Sequence, residues 1–312
     1  MSATTAPPKP AVNAFTRLDA LAQAHPEWAP WLCVVRVVTA DLPDPAWNRE
    51  PPDTAEPSAL SPWLAGAVLR PDARAVASLF DRLTSVARAQ GLHALAGDGK
   101  TVRQSEAPGD ALAVFLAAVN GDDAELSRQA TRRGASPDGF RALAQLLPLP
   151  YLHACARHWT ASSPRPDWTQ GYCPVCGAWP SFAEVRGIER SRHLRCGRCA
   201  ASWAMPVLAC TYCASTDHEA LGTLVVLDDK SSRFSLDVCK SCSGFLKSCT
   251  TLQATPPDGI LVADLASVAF DLAAVERGYG RPPGPGVPLD ATLAAEHRPA
   301  DAAPERKTRW WS

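Results

Sequence analysis

Methionine is nearly absent from this chain, with two in 312 residues, and tyrosine numbers only four. Aromatics make up 7% of the sequence, and ten of them are Trp. Charge of one sign is also missing, since 31 Lys and Arg stand against 32 Asp and Glu, for a formal net charge of −1. That balance leaves no overall field to draw the chain to nucleic acid or to an anionic membrane. No apolar run approaches the ~20 residues that a membrane-spanning helix needs. The longest candidate, 260–275, carries Asp264 and Asp271. The opening Met-Ser-Ala-Thr-Thr-Ala-Pro-Pro-Lys-Pro has no charged segment leading into an apolar one, so no secretory signal is expected. Together these absences suggest a soluble cytoplasmic protein.

Catalytic constellations are lacking too. The seven His show no metalloprotease spacing, and neither a Ser/His/Asp set nor a carboxylate pair stands out. Gly97-Asp98-Gly99-Lys100-Thr101 ends like a phosphate loop, but Ala94 stands where that loop needs Gly, and no strand precedes it.

What the chain has is cysteine in a pattern. Eight of its eleven cysteines fall between 173 and 242 as four Cys-x-x-Cys pairs: Cys173/Cys176, Cys196/Cys199, Cys210/Cys213 and Cys239/Cys242. Two sulfurs separated by two residues fit one tight turn and present both thiolates to one cation. A second turn completes a tetrahedron. In a reducing compartment this regularity points to metal rather than disulfides. The intervals of nineteen residues (177–195) and twenty-five (214–238) each have room for a two-stranded hairpin. Their hairpin-like content favours pairing in sequential order, first with second and third with fourth, over an interleaved arrangement. Cys173-Pro174-Val175-Cys176-Gly177 has the form of a rubredoxin-like knuckle, with Pro stiffening the turn and Gly letting the backbone fold over the metal. Four thiolates suit zinc or a mononuclear iron, and the spacing does not choose between them. A closed shell of sulfur disfavours Lewis-acid hydrolysis, and the ions can equally serve only to hold shape. Dithiol–disulfide chemistry lacks the strand-to-helix context that lowers a thiol pKa.

Around this region the organisation reads as α+β. Residues 1–12 lack periodicity and are expected to be disordered. Helical periodicity then dominates 13–160, an all-α domain, with a proline-rich crossing segment at 41–62. Val76, Leu79, Phe80, Leu83 and Val86 line one helix face. Ser136-Pro137 is an N-cap followed by proline at the first helical position. A polar linker occupies 161–170. Two small tetrathiolate modules follow, 171–207 and 208–250, joined side by side by Ala200–Ala209. Strands are expected at 182–186, 192–195, 221–227 and 234–238, with a turn at Asp228–Ser232. Past Cys242 the chain returns to helix in a segment, 251–280, whose stripe is Leu265, Val268, Leu272 and Val275. A flexible tail, 281–312, ends it.

Cys33 and Cys155 read as small buried hydrophobes and Cys249 as an unpaired thiol, while His218 is a minor alternative ligand. Arg186, Arg190, Arg192, Arg195 and Arg198 face only Glu184 and Glu189. This basic hairpin suits an acidic protein surface or a phosphate backbone, with an ordinary solvated hairpin as the plainer reading.

These residues resemble a known family, the formate dehydrogenase accessory proteins called FdhE. The resemblance lies in Gly171-Tyr172-Cys173-Pro174-Val175-Cys176-Gly177, in Arg192-His193-Leu194-Arg195-Cys196 with Trp203, and in Cys239-Lys240-Ser241-Cys242 followed by Gly244-Phe245-Leu246-Lys247. It continues through Ala263-Asp264-Leu265-Ala266-Ser267 and Glu276-Arg277-Gly278-Tyr279. It implies two rubredoxin-type metal modules behind a helical domain, with iron associated and all eight paired cysteines as ligands. It also implies a non-enzymatic cytoplasmic maturation factor that contacts the catalytic subunit of respiratory formate dehydrogenase before export. The competing readings are a double zinc-ribbon nucleic-acid binder, disfavoured by overall neutrality, and a rubredoxin-like electron-transfer protein.

Overall fold

The computed structural model describes residues 13–48, 50–97, 99, 108–161, 167–225 and 233–295. The disorder expected of 1–12, the turn at 228–232 and most of the phosphate-loop-like run lie outside the described residues. So do parts of the linker and of the tail.

The first half is helical: α1 (Ala14–Ala24), α2 (Ala29–Asp41), α3 (Ala73–Ala89), α4 (His93–Ala96), α5 (Pro108–Asn120), α6 (Asp123–Arg133), α7 (Pro137–Ala144) and α8 (Leu149–Ala161). Local chemistry sets the ends. The Asp72 carboxylate accepts from the amides of Arg74 and Ala75 at 2.9 and 3.0 Å and starts α3. Ser136 accepts from Gly139 N–H at 3.0 Å with Pro137 following, as its sequence suggests. Val76, Leu79, Phe80 and Leu83 of α3 are fully buried, and Phe80 meets Phe140 of α7 edge-on. α5 is apolar nearly all round and lies buried within the bundle.

One short strand interrupts this region. β1 (Val68–Leu69) pairs in parallel with β8 (Thr292–Leu293) near the other end of the described chain. The flexible tail expected from 281 is therefore corrected for 281–295. Val287 N–H donates to the Gly177 carbonyl at 3.0 Å, Gly66 N–H to Leu289 at 2.6 Å, and Thr292 N–H to Ala67 at 2.9 Å. Leu289, Ala291, Leu293 and Ala294 are buried. Proline and glycine here shape a tightly held return, not a loose end.

The cysteine region forms one sheet. Its strands are β2 (Pro180–Arg186), β3 (Ser191–Cys196), β4 (Ser202–Ala204), β5 (Leu221–Leu224), β6 (Phe234–Cys239) and β7 (Gly244–Thr251), in the spatial order β4-β3-β2-β7-β6-β5. Both expected hairpins are present, β2–β3 and β5–β6. They are fused, because β7 pairs antiparallel with β6 and parallel with β2, in register from Phe182–Lys247 to Arg186–Thr251. β7 itself, between Cys242 and the helical segment expected at 251–280, is a strand for which the sequence reading gave no expectation.

The last helices, α9 (Ile260–Leu265) and α10 (Val268–Glu276), cover one face of that sheet. A single helix with an apolar stripe was the expectation. Instead the helix breaks at Ala266–Ser267, Leu272 and Val275 lie exposed at 61% each, and Ala274 is buried. The cause is Lys247 on β7, fully buried, whose ammonium lies 2.6 Å from the carboxylates of both Asp264 and Asp271. Two acidic side chains turn inward to meet it and rotate the apolar stripe outward. Arg281 completes the network, donating to Asp271 at 2.8 Å and to the Ser181 carbonyl at 2.9 Å.

The largest apolar cluster runs without a break from the helices into the first cysteine module, taking in Phe80, Phe115 and Leu152 on one side and Val175, Leu194 and Trp203 on the other. Helical part and sheet therefore share one core. The α+β class expected from the sequence holds, with a helical first half and both cysteine groups in the second.

Candidate metal centres

Each Cys-x-x-Cys pair sits on a turn of the same design. In the first, Val175 N–H points at Cys173 Sγ at 3.4 Å, and Gly177 N–H closes the turn on the Cys173 carbonyl at 3.0 Å. In the second, Arg198 and Cys199 amides point at Cys196 Sγ at 3.4 and 3.5 Å. In the third, Tyr212 N–H points at Cys210 Sγ at 3.4 Å. The residue after each second cysteine turns left-handed: Gly177 at φ 66°, Ala200 at 60°, Ala214 at 57° and Ser243 at 51°. Only Gly177 takes this conformation freely; each of the others carries roughly 1–2 kcal/mol of local strain. A Cβ at Gly177 would also lie 2.7 Å from the Val287 carbonyl oxygen, against the returning tail.

The four turns meet two by two, in sequential order. Cys173, Cys176, Cys196 and Cys199 form one group, and Cys210, Cys213, Cys239 and Cys242 the other, with all sulfurs of a group within 4.8 Å of one another. Cross-turn separations are 3.5 Å for Cys173–Cys199 and for Cys176–Cys196, and 3.7 and 3.8 Å for Cys210–Cys242 and Cys213–Cys239. A tetrahedron with metal–sulfur bonds of about 2.3 Å has edges of about 3.8 Å, so a zinc- or iron-sized ion fits both cages. All eight thiols are free. A disulfide would need its sulfurs about 2.05 Å apart.

Electrostatics agree with the geometry. Burial pushes Cys173 and Cys199 well above an ordinary thiol pKa, while sulfur contacts from Cys173, Cys196 and Cys199 hold Cys176 well below it. Four adjacent buried sulfurs cannot all ionise unaided, and a dication supplies the missing charge.

The two cages differ in their surroundings. The four sulfur residues of the first are at most 1% exposed. The helical part closes over them: Trp63 and Leu64 amides donate to the Pro174 and Val175 carbonyls at 2.8 and 3.0 Å. Arg198 reaches the end of α5, donating to the Ala118 and Val119 carbonyls at 2.8 and 3.3 Å. Behind the cage, His153 of α8 is buried, and burial, ahead of the charge of Arg157, drives its pKa down to about 3. In the second cage Cys210 and Cys239 are buried, whereas Cys213 and Cys242 are exposed. Trp179 and Tyr212 meet edge-on between the two modules, with ring centres 5.2 Å apart.

The arginine-rich hairpin is not a free basic face, which corrects that expectation. Arg186 and Arg195 both bind the fully buried Glu184, Arg195 at 2.8 Å. Arg192 donates to Asp237 at 3.2 Å and to the carbonyls of Pro206 and Ala209 at 3.2 and 3.3 Å. With Arg198 on α5, four of the five arginines serve internal structure. Cys155 and Cys249 are buried, Cys33 is half-buried, and His218 is exposed; none joins either sulfur group. A cavity of about 310 Å³ opens on the sheet face away from α9 and α10, reached by Arg190, Leu208 and Asp237 and by Cys210 and Cys239 of the second cage.

Sequence reasoning placed Glu184 opposite the arginines but missed its burial, and it missed the Lys247–Asp264–Asp271–Arg281 network altogether. The one signal for the latter was the i, i+7 spacing of Asp264 and Asp271, which puts both on one helical face.

Fold and sites define a two-module tetrathiolate protein with a helical first half. No protein-family model matches the chain. It is similar to curated relatives called "Protein FdhE homolog": 30% identical over 118 residues in Aquifex aeolicus (strain VF5), covering 36% of this chain and 40% of the relative. The relative in Stutzerimonas stutzeri (strain A1501) is 31% identical over 144 residues, 43% of this chain and 46% of the relative. "Protein FdhE" of Escherichia coli O127:H6 is 33% identical over 113 residues, 35% of each chain. The chain thus spans less than half the length of the curated relatives it matches. Among solved structures, the crystal structure of the FdhE protein from Pseudomonas aeruginosa has the same fold, with a TM-score of 0.52 at 22% identity over 88% of this chain and 93% of that one. These likenesses bear out the resemblance to the FdhE family.

Proposed function

We propose that this chain is a non-enzymatic accessory factor in the maturation of respiratory formate dehydrogenase, acting in the cytoplasm on the catalytic subunit before its export. The observation that carries the reading is the coincidence of FdhE likeness with two sulfur cages built on the motifs that define the likeness. Cys173, Cys176, Cys196 and Cys199 hold one ion in this reading, and Cys210, Cys213, Cys239 and Cys242 the other. Bound iron or zinc supplies structural cross-linking of the turns and, if iron, one-electron chemistry. Four sulfur ligands leave no open position for a substrate, which supports a non-enzymatic role. The pairing of Arg186, Arg192, Arg195 and Arg198 within the fold counts against a nucleic-acid binder. The helical part, 13–160, and the two modules, 171–207 and 208–250, act as one body in this reading because they share a core. The test is deletion of the gene together with copurification. Formate dehydrogenase activity should vanish while the catalytic subunit is still made, and the subunit should copurify with the tagged chain. Normal activity in the deletion strain would refute the reading.

A further inference from the structure

The two cages are built from the same turns and the same ligands, yet one is sealed and the other is open. We infer that the second cage is an exchange site, at which an incoming thiolate from outside the chain reaches the ion, while the first is a permanent structural anchor. The inference rests on the reading of both sulfur groups as metal sites.

Three observations carry it. First, Cys213 and Cys242 are exposed residues, whereas no sulfur residue of the first cage is more than 1% exposed. Substitution at a closed thiolate shell needs an entering ligand to approach the ion, and only the second cage offers that approach. Second, both turns that carry those exposed sulfurs end in a non-glycine residue in the left-handed region, Ala214 at φ 57° and Ser243 at φ 51°. Loss of an ion lets these turns relax. In the first cage Gly177 has no such strain to release, and Ala200 is locked under the core. Third, the first cage is bolted to the N-terminal half by backbone bonds from Trp63 and Leu64 of the turn before β1 and by the Arg198 side chain, which reaches the end of α5. The open cage has its buried pair, Cys210 and Cys239, against a cavity, and its exposed pair, Cys213 and Cys242, on the outside.

The step is a ligand substitution without redox change. The entering thiolate donates its electron pair, Cys242 or Cys213 departs with its own pair as thiolate, and water protonates the departed sulfur. Soft, anionic sulfur is the ligand class that competes for such a site.

The experiment uses the full chain loaded with two zinc ions and challenged at neutral pH with 4-(2-pyridylazo)resorcinol or with the small dithiol dithiothreitol. One equivalent should leave at a rate that rises with competitor concentration. The second should stay until denaturant is added, slower by roughly 10- to 100-fold or more, the span that outer-shell protection commands. Mass-spectrometric mapping of iodoacetamide adducts in the same samples should find Cys213 and Cys242 modified first among the eight cage cysteines, a readout that needs no variant to fold. Equal release rates, or early labelling of the first cage, would overturn the inference and leave the metal-site reading standing. A chain that binds no ion under anaerobic loading would overturn both.

Discussion

The Lys247 ammonium lies 2.6 Å from the Asp264 carboxylate in a site with no exposure of the lysine side chain. This pair joins strand to helix and fixes which way α9 and α10 face. Breaking a buried pair by removing one partner costs about 3–5 kcal/mol, since the remaining charges lose their compensation. Lys247→Met should lower the unfolding free energy by that amount, read as a lower denaturant midpoint with an unchanged slope. The double variant K247M/D264N should recover much of the loss, because it removes the carboxylate left without its partner while Asp271 keeps Arg281. A single variant as stable as the parent chain would show that the network is dispensable.

His153 makes stability pH-dependent. Its folded pKa, depressed to about 3 chiefly by burial and then by Arg157, lies below the unfolded value near 6.5. Cys176 opposes the shift and Arg195 adds to it. The folded state therefore takes up its proton later than the unfolded state. Its stability is complete above pH 6.5 and is lost as pH falls toward 3, by roughly 1.4 kcal/mol per unit. Urea midpoints of the parent chain and of H153N, measured side by side from pH 7.5 to 5.5, should diverge as the pH drops, with the parent losing more. The difference cancels acid effects on the sulfur cages, which both chains share. Parallel curves would contradict the assignment.

Gly171 is where the two modules touch backbone to backbone. A Cβ there would fall far inside contact distance of the Thr211 carbonyl oxygen, and neither chain segment is a flexible side chain that can swing away. Gly171→Ala should cost about 1–3 kcal/mol, the usual range for forced overpacking. It should also shift the fluorescence of Trp179, whose ring meets Tyr212 next to the contact. Gly280→Ala is the control, since nothing lies within 4 Å of the Cβ it would add and its backbone is not left-handed.

The cysteine spacing made the grouping of the eight sulfurs legible, because two cysteines separated by two residues fit one tight turn and can face one cation together. The hairpins were legible for a related reason: alternation along 234–238 survives in the sequence whatever the strand packs against. The joining of both ribbons into one sheet was not. β2 and β7 are more than fifty residues apart and pair in parallel, a contact with no local signature. α10 misled in a specific way. Its hydrophobic stripe predicted a buried face, but a buried lysine drew the acidic face inward and overrode the pattern. The return of 281–295 was hidden by its proline and glycine content, which marks irregular backbone without saying whether that backbone is held.

All of this turns on whether two ions sit among eight reduced sulfurs. Native mass spectrometry of the full chain, isolated without oxygen and then alkylated under denaturing conditions, measures both quantities in one sample. Two iron or zinc ions per chain and all eight cage cysteines alkylated after unfolding is the expected result. A chain of bare polypeptide mass whose paired cysteines resist alkylation because they are joined as disulfides would contradict it.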